Sequence, residues 1–392
     1  MPSIELEGVY KIFGDEPEEA LELIDKGASK TEVREETGHV IGVQDITFKI
    51  KNNELFVIMG LSGSGKSTLL RCVNRLVEPT KGRITLHSDG KDYDITSAEK
   101  EELREIRETQ VSMVFQNFAL FPHRTVLDNV GFGLEIQGIS KEERERKSQE
   151  LIEVVGLEGF GDSYPSQLSG GMQQRVGLAR GLATGAEVLL MDEPFSALDP
   201  LIKVEMQDEL LDLMENMQRT ILFVTHDLDE ALKVGDRITI MDGGKMVQKG
   251  VPEEIIVNPK TEYVADFVEN ADPSDVLRAE TVAEKDFRVD EENRVKLDQL
   301  TEVEVNDEGE VVKGYISGAP VSLRPIDEYE RIEEDALLFS SPETPISEIM
   351  KARLAYTSHP VVVLKNNEFI GFVGEKNILQ GLLEKGRQGS SS

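Results

Sequence analysis

The chain has 392 residues, 39% hydrophobic and 30% charged, a composition that folds rather than staying disordered and a length for roughly two or three domains. No apolar run approaches the ~18 residues of a membrane helix, no signal peptide is expected at Met-Pro-Ser-Ile-Glu-Leu-Glu, and a single cysteine, Cys72, excludes an internal disulfide and fits a reducing compartment. The net charge of −32 is spread along the chain, with 25 Asp and Glu against 14 Lys and Arg in residues 271–392, and such a surface repels nucleic acid.

In chain order, residues 4–13 alternate as a strand does. An acidic amphipathic helix follows over 15–24 with Pro17 in its first turn, then a short helix over 29–36 that ends at Gly38. Strand character resumes over 40–50, so residues 14–39 read as an insertion between two strands, either a solvated surface hairpin or a functional element. The apolar run 55–59 is a buried strand, and 69–76 is a helix. Residues 82–86 form a short strand, Asp89-Gly90 a turn, and 97–108 a charged helix capped by Ser97. Strand 111–116 ends in Gln116. From 126 to about 182 the pattern is helical, broken by Pro165 and Gly170-Gly171. A core strand at 187–193 carries Asp192 and Glu193 at its tip, helix 201–218 follows, and strand 220–225 ends at His226. Strands at 237–241 and 245–247 and helical segments from Pro252 and near 263–268 close this part of the chain.

Between the strand at 55–59 and the next helix stands Gly60-Leu61-Ser62-Gly63-Ser64-Gly65-Lys66-Ser67-Thr68, the pattern G-x-x-x-x-G-K-[ST] in its strand–loop–helix context. The glycines let successive backbone N–H groups converge on phosphate oxygens, and the helix N-terminus adds a favourable dipole. Lys66 reaches the β/γ-phosphates and the Ser67 hydroxyl suits Mg²⁺. In a parallel sheet, Gln116, Asp192, Glu193 and His226 gather with this loop at the strand ends. Phosphoryl transfer to water needs that set: a cradle (Gly60, Ser62, Gly63, Ser64, Gly65, Lys66, Ser67, Thr68), Mg²⁺ ligation (Ser67, Asp192), a carboxylate to polarise water (Glu193), and a water-orienting group or γ-phosphate sensor (Gln116, His226).

Leu168-Ser169-Gly170-Gly171-Met172-Gln173-Gln174-Arg175-Val176, just upstream of Met191-Asp192-Glu193-Pro194 and Ser196-Ala197-Leu198-Asp199, resembles the signature motif of ATP-binding-cassette ATPases. The resemblance covers roughly residues 4–268. It implies an α/β P-loop NTPase domain of the ABC type, with a helical subdomain at about 117–182, that binds ATP and Mg²⁺ and works as a homodimer. Ser169, Gly170, Gly171 and Asp199 of one copy would then complete the nucleotide site of the other. Phe13 resembles the aromatic residue that stacks on adenine, with Tyr10 as the alternative. Gln116 resembles the residue coupling the Mg²⁺ site to the helical subdomain, and 117–129 would face a permease subunit.

The insertion narrows the likeness. Lys11-Ile12-Phe13-Gly14-Asp15-Glu16-Pro17, Ala20-Leu21 and Thr37-Gly38-His39-Val40 resemble the glycine betaine/L-proline importer ATPases, implying a peripheral subunit at the cytoplasmic membrane face, bound to integral-membrane permease subunits and indirectly served by an external solute-binding protein. An importer for an amino acid or sulfonate is the alternative within transport, and a soluble ABC ATPase the one outside it. Residues 302–316 echo 360–373 as strand, polar turn and strand, which resembles a pair of CBS motifs over 269–385 with helices flanking each hairpin, implying osmotic or ionic regulation or else a purely structural dimerisation domain; 386–392 reads as a disordered tail. CBS sites for adenosine nucleotides carry an Asp where this chain has Pro320 and Asn377, so nucleotide binding does not carry over.

Overall fold

The computed structural model describes residues 3–88, 90–196, 198–217, 219–269, 271–331 and 335–383. The expected tail at 386–392 and the positions Asp89, Ala197 and Gln218 lie outside them. Two compact units form, Met1–Val251 and Pro252–Ser392.

In the first unit, β1 (Ser3–Phe13) is followed by the insertion helices α1 (Glu18–Asp25) and α2 (Lys30–Thr37), and β2 (Val40–Ile50) returns antiparallel to β1. Ala20, Ile24 and Val33 close over Ile12 and Ile41, so the insertion has a small core of its own rather than being a solvated hairpin. α2 opens on a reciprocal cap between Ser29 and Glu32. β3 (Leu55–Met59) leads through the glycine-rich loop into α3 (Lys66–Val73), then into the hairpin β4 (Lys81–Ser88) and β5 (Lys91–Asp94). The charged helix α4 (Lys100–Thr109) starts later than the sequence suggests, and Ser97 is not its cap. Asp94 Oδ1 accepts the N–H groups of Thr96 and Ser97, which holds that stretch in a turn.

After β6 (Val111–Val114), the helices α5 (Val126–Val130), α6 (Phe132–Ile136), α7 (Lys141–Val154) and α8 (Gly170–Ala183) make the helical subdomain around Val126, Val130, Leu134, Ile152, Val176 and Ala179. Then come β7 (Val188–Asp192), α9 (Pro200–Met217), β8 (Thr220–Thr225), α10 (Leu228–Val234) and the antiparallel pair β9 (Arg237–Asp242) and β10 (Lys245–Gly250).

One sheet is antiparallel in the order β2-β1-β4-β5, and the other runs β10-β9-β3-β8-β7-β6 with every pair but β10·β9 parallel. β3, β7 and β8 are buried along their whole length, which is why they read as unbroken apolar runs. Phe48 of one sheet stacks on Phe56 of the other at 4.7 Å. Cys72 is buried in the same core, and burial pushes its thiol up to about 12, so it packs as a small apolar residue. The register pairs Met59 with Thr225 and Asp192 with Val224, so three carboxyl-terminal strand ends line up on one edge.

The second unit opens with α11 (Pro252–Val257) and α12 (Glu262–Val268), helices that the sequence places at the end of the first domain. After α13 (Ala279–Val282) comes a seven-stranded sheet in sequential order. It contains β11 (Arg294–Lys296), β12 (Thr301–Val305), β13 (Val311–Ile316), β14 (Ala319–Pro325), β15 (Ala336–Ser340), β16 (Val361–Lys365) and β17 (Glu368–Val373), with α14 (Ile346–Ala355) crossing from β15 to β16 and α15 (Glu375–Leu383) after β17. Both expected hairpins are present. Helices flank only the second, and the first sits between β11 and β14. The reason is local: Ser317-Gly318 is too short for a crossover, and Pro320 opposes a helix, so the chain turns back as an antiparallel strand with Pro320 opposite Tyr315. Asn377 is spent locally, its Oδ1 accepting the N–H of Gly374.

Candidate functional site

The loop after β3 is forced into shape by its neighbours. Gly60, Gly63 and Gly65 have φ of 151°, 79° and 102°. At Gly65 a side chain would also strike the carbonyl of Gly42, so the loop lies directly on β2. Ser64 O accepts from Gly244 N at 3.0 Å, tying the loop to the β9–β10 turn.

Nine of the expected residues line one cavity of about 450 Å³: Ser62, Gly63, Gly65, Lys66, Ser67, Thr68, Gln116, Glu193 and His226, together with Leu61. Gly60 lies beneath them, its carbonyl accepting from Lys66 Nζ at 2.8 Å, and Leu61 O accepts from the same ammonium at 3.1 Å. Burial pushes the Lys66 pKa down while Glu193 and Asp192 hold it up. Glu193 Oε1 is 4.0 Å from Lys66 Nζ. Glu193 Oε2 accepts from Gln116 Nε2 at 3.2 Å and lies 3.1 Å from His226 Nδ1. The carboxylate is thus aimed into the cavity from three sides, on a residue held at φ 47° at the tip of β7.

Asp192 is fully buried. Its Oδ2 accepts from Arg71 Nη2 at 3.1 Å, and its Oδ1 has no hydrogen-bond partner. Ser64 Oγ is buried without one as well. A buried acceptor beside a phosphate cradle fits Mg²⁺ held directly or through water. Among the described residues no three His, Cys, Asp or Glu side chains cluster as a metal site. Arg71 was not anticipated from the sequence. Its signal is its position five residues after Lys66, one turn deeper on the loop helix.

Phe13 stands beside the cavity, 41% exposed, its ring lying over Gly42 next to Thr68 and under Lys11 Nζ at 5.1 Å. Tyr10 instead packs into the insertion's core. Phe13→Ala is therefore expected to raise the Kd for ATP about 5–10-fold, the ~1 kcal/mol of one exposed aromatic face. Tyr10→Ala should lower thermal stability and leave the Kd within about twofold. Calorimetry on both variants checks this, and a larger affinity loss in the tyrosine variant would reverse the assignment.

Ser169, Gly170, Gly171 and Asp199 are elsewhere. They line a second cavity of about 530 Å³ with Leu157, Phe160, Met172, Arg175, Leu198 and Ile202. Ser169 caps α8, its Oγ accepting from Met172 N at 3.3 Å. Asp199 Oδ1 accepts from Leu201 N at 3.1 Å. One chain thus presents two separate cavities, the second at the N-terminus of α8.

Comparison with known proteins gives the same picture. The family model for ABC transporters matches residues 43–196. The chain is 48% identical to the glycine betaine/carnitine transport ATP-binding protein GbuA of Listeria monocytogenes, over 97% of this chain and 98% of the relative. It is 43% identical to the glycine betaine/proline betaine transport system ATP-binding protein ProV of Salmonella typhimurium, over 98% of each. Among solved structures, the ATP-binding cassette MJ0796, a dimer in a post-hydrolysis state bound to ADP and Pi, matches with a TM-score of 0.53 and 31% identity, covering 64% of this chain and 98% of that one.

Proposed function

This chain belongs to the ATP-binding subunits of ABC transporters that serve glycine betaine import, and from that premise we propose that it hydrolyses ATP to drive uptake of a quaternary-ammonium or proline-type compatible solute through membrane permease subunits. The observation that carries the reading is the meeting of Lys66, Gln116, Glu193 and His226 on one cavity under the glycine-rich loop; the relatives above support the solute class.

The loop N–H groups and Lys66 hold the β/γ-phosphates, and Phe13 stacks on the base. Ser67, Gln116 and Asp192 would hold Mg²⁺, which when bound would offset phosphate charge. Glu193 accepts a proton from the attacking water, with Gln116 and His226 fixing its direction. Ser169, Gly170, Gly171 and Asp199 of a second copy close the site, so that two ATP molecules sit between head-to-tail subunits. That arrangement would account for the two groups of expected residues lying on separate cavities of one chain. Among the described residues no helix is long and apolar enough to cross a membrane, and we place the subunit peripherally at the cytoplasmic face, residues 117–129 against the permease.

The test is reconstitution of the full transporter in vesicles with its solute-binding protein. Glycine betaine, proline, carnitine or choline is expected to raise ATP hydrolysis and to accumulate inside. Hydrolysis without movement of any of the four sinks the proposal.

A further inference from the structure

Arg180, near the far end of α8, has no role in the chemistry above, yet it is held in an unusual way. Its guanidinium donates through Nη2 to Phe118 O at 2.5 Å and through Nη1 to Ala119 O at 2.7 Å. Burial pushes its pKa down with no carboxylate opposing the shift. The two carbonyls it grips belong to the most strained turn of the segment: Phe118 and Ala119 are consecutive non-glycine residues at φ 56° and 48°. Each left-handed residue costs about 1–3 kcal/mol unless its surroundings impose it.

The turn begins two residues after Gln116, whose Nε2 donates to Glu193. Beyond it, the fully buried Asn129 fixes the chain again, its Oδ1 accepting from Phe121 N at 2.8 Å and its Nδ2 donating to the carbonyls of Phe121, Arg124 and Thr125. The strap from Gln116 to Thr125 is thus pinned at two points. Asn129 secures its far half to α5, and Arg180 secures its near half to α8, the helix whose first residues line the second cavity.

We propose that Arg180 is a positioning residue, clamping the strained 118–119 turn onto α8 so that Gln116 meets Glu193 only when α8 is seated. The seating of Ser169 and Gly171 against a partner's nucleotide and the orientation of the hydrolytic carboxylate then become one event. The inference rests on the reading that Gln116 and Glu193 act in hydrolysis.

The test uses the reconstituted transporter. Arg180→Gln loses the fork geometry and the charge, and solute-stimulated kcat should fall about tenfold or more with KM for ATP within about twofold, since misplacement of about 1 Å suffices for such losses. Arg180→Lys should fall between. Ala119→Gly is exposed and adopts positive φ without steric cost. Placed in the Arg180→Gln background it should restore kcat to within about threefold of wild type, and it should restore nothing in Glu193→Gln. A wild-type kcat in Arg180→Gln overturns the clamp. So does a loss that Ala119→Gly fails to repair in a variant whose circular dichroism and melting midpoint match wild type. Inactivity of the wild-type transporter itself would instead sink the functional reading.

Discussion

Glu193→Gln is expected to keep ATP binding within about twofold and to lower kcat about 10³-fold, the middle-to-upper range for removing a general base. The side chain is only 15% exposed, and each carboxylate oxygen is already engaged, Oε1 toward Lys66 and Oε2 toward Gln116 and His226. Glutamine has the same shape and lies in the same wall of the cavity, so the phosphate cradle is untouched. It has no lone pair basic enough to take the proton of an attacking water. The backbone at this position is set independently of the side chain. Glu193 N donates to Val224 O at 2.9 Å, and its carbonyl accepts from Ser196 Oγ at 3.0 Å, so the φ of 47° survives the substitution. Phosphate release measured beside equilibrium ATP binding separates the two effects. Turnover within about threefold of wild type would remove Glu193 from the role of base.

The part of this site that was legible in the sequence is the part built from local pattern. β3, β7 and β8 are fully buried strands, and their apolar runs end at the loop, at Asp192-Glu193 and at His226, so composition and position sufficed. The neighbours that complete the site come from elsewhere in the chain. Arg71 reaches Asp192 across 121 residues, and its place on the loop helix marks it as near the site without naming that partner. Arg180 grips carbonyls 61 and 62 residues away, and strain at Phe118 and Ala119 is a property of backbone angles that residue type does not reveal. Sheet order was equally hidden: β1 pairs with both β2 and β4, and β5 is a short polar strand with one buried residue, Tyr93. In the second unit the echo between the two hairpins was real at the level of strand and turn. Its extension to flanking helices failed because periodicity in a hairpin carries no information about whether the next connection is a crossover or a tight turn.

Lys66→Ala is expected to weaken ATP binding at least about 100-fold, or roughly 2.7 kcal/mol, while leaving the unliganded protein as stable as before or slightly more so. The opposite signs follow from where the ammonium sits. It is 4% exposed, held by two carbonyls and facing Glu193. In the absence of nucleotide its burial costs desolvation that these contacts only partly offset, which is why its pKa is pushed down despite two nearby carboxylates. Triphosphate reverses the balance by supplying the counter-charge that the buried ammonium lacks. Without Lys66, Glu193 would face the phosphates with no ammonium beside it, so repulsion adds to the lost attraction. Thermal unfolding with and without excess ATP reads both effects in one experiment, because a ligand that binds only the folded state raises its stability with the logarithm of one plus the ratio of its concentration to its Kd. The unliganded midpoint should be unchanged or raised, and the stabilisation produced by ATP should shrink by about 2.7 kcal/mol. A variant that retained the wild-type shift would show that the phosphates are held without Lys66, and the cradle would then have to be assigned to the loop N–H groups alone.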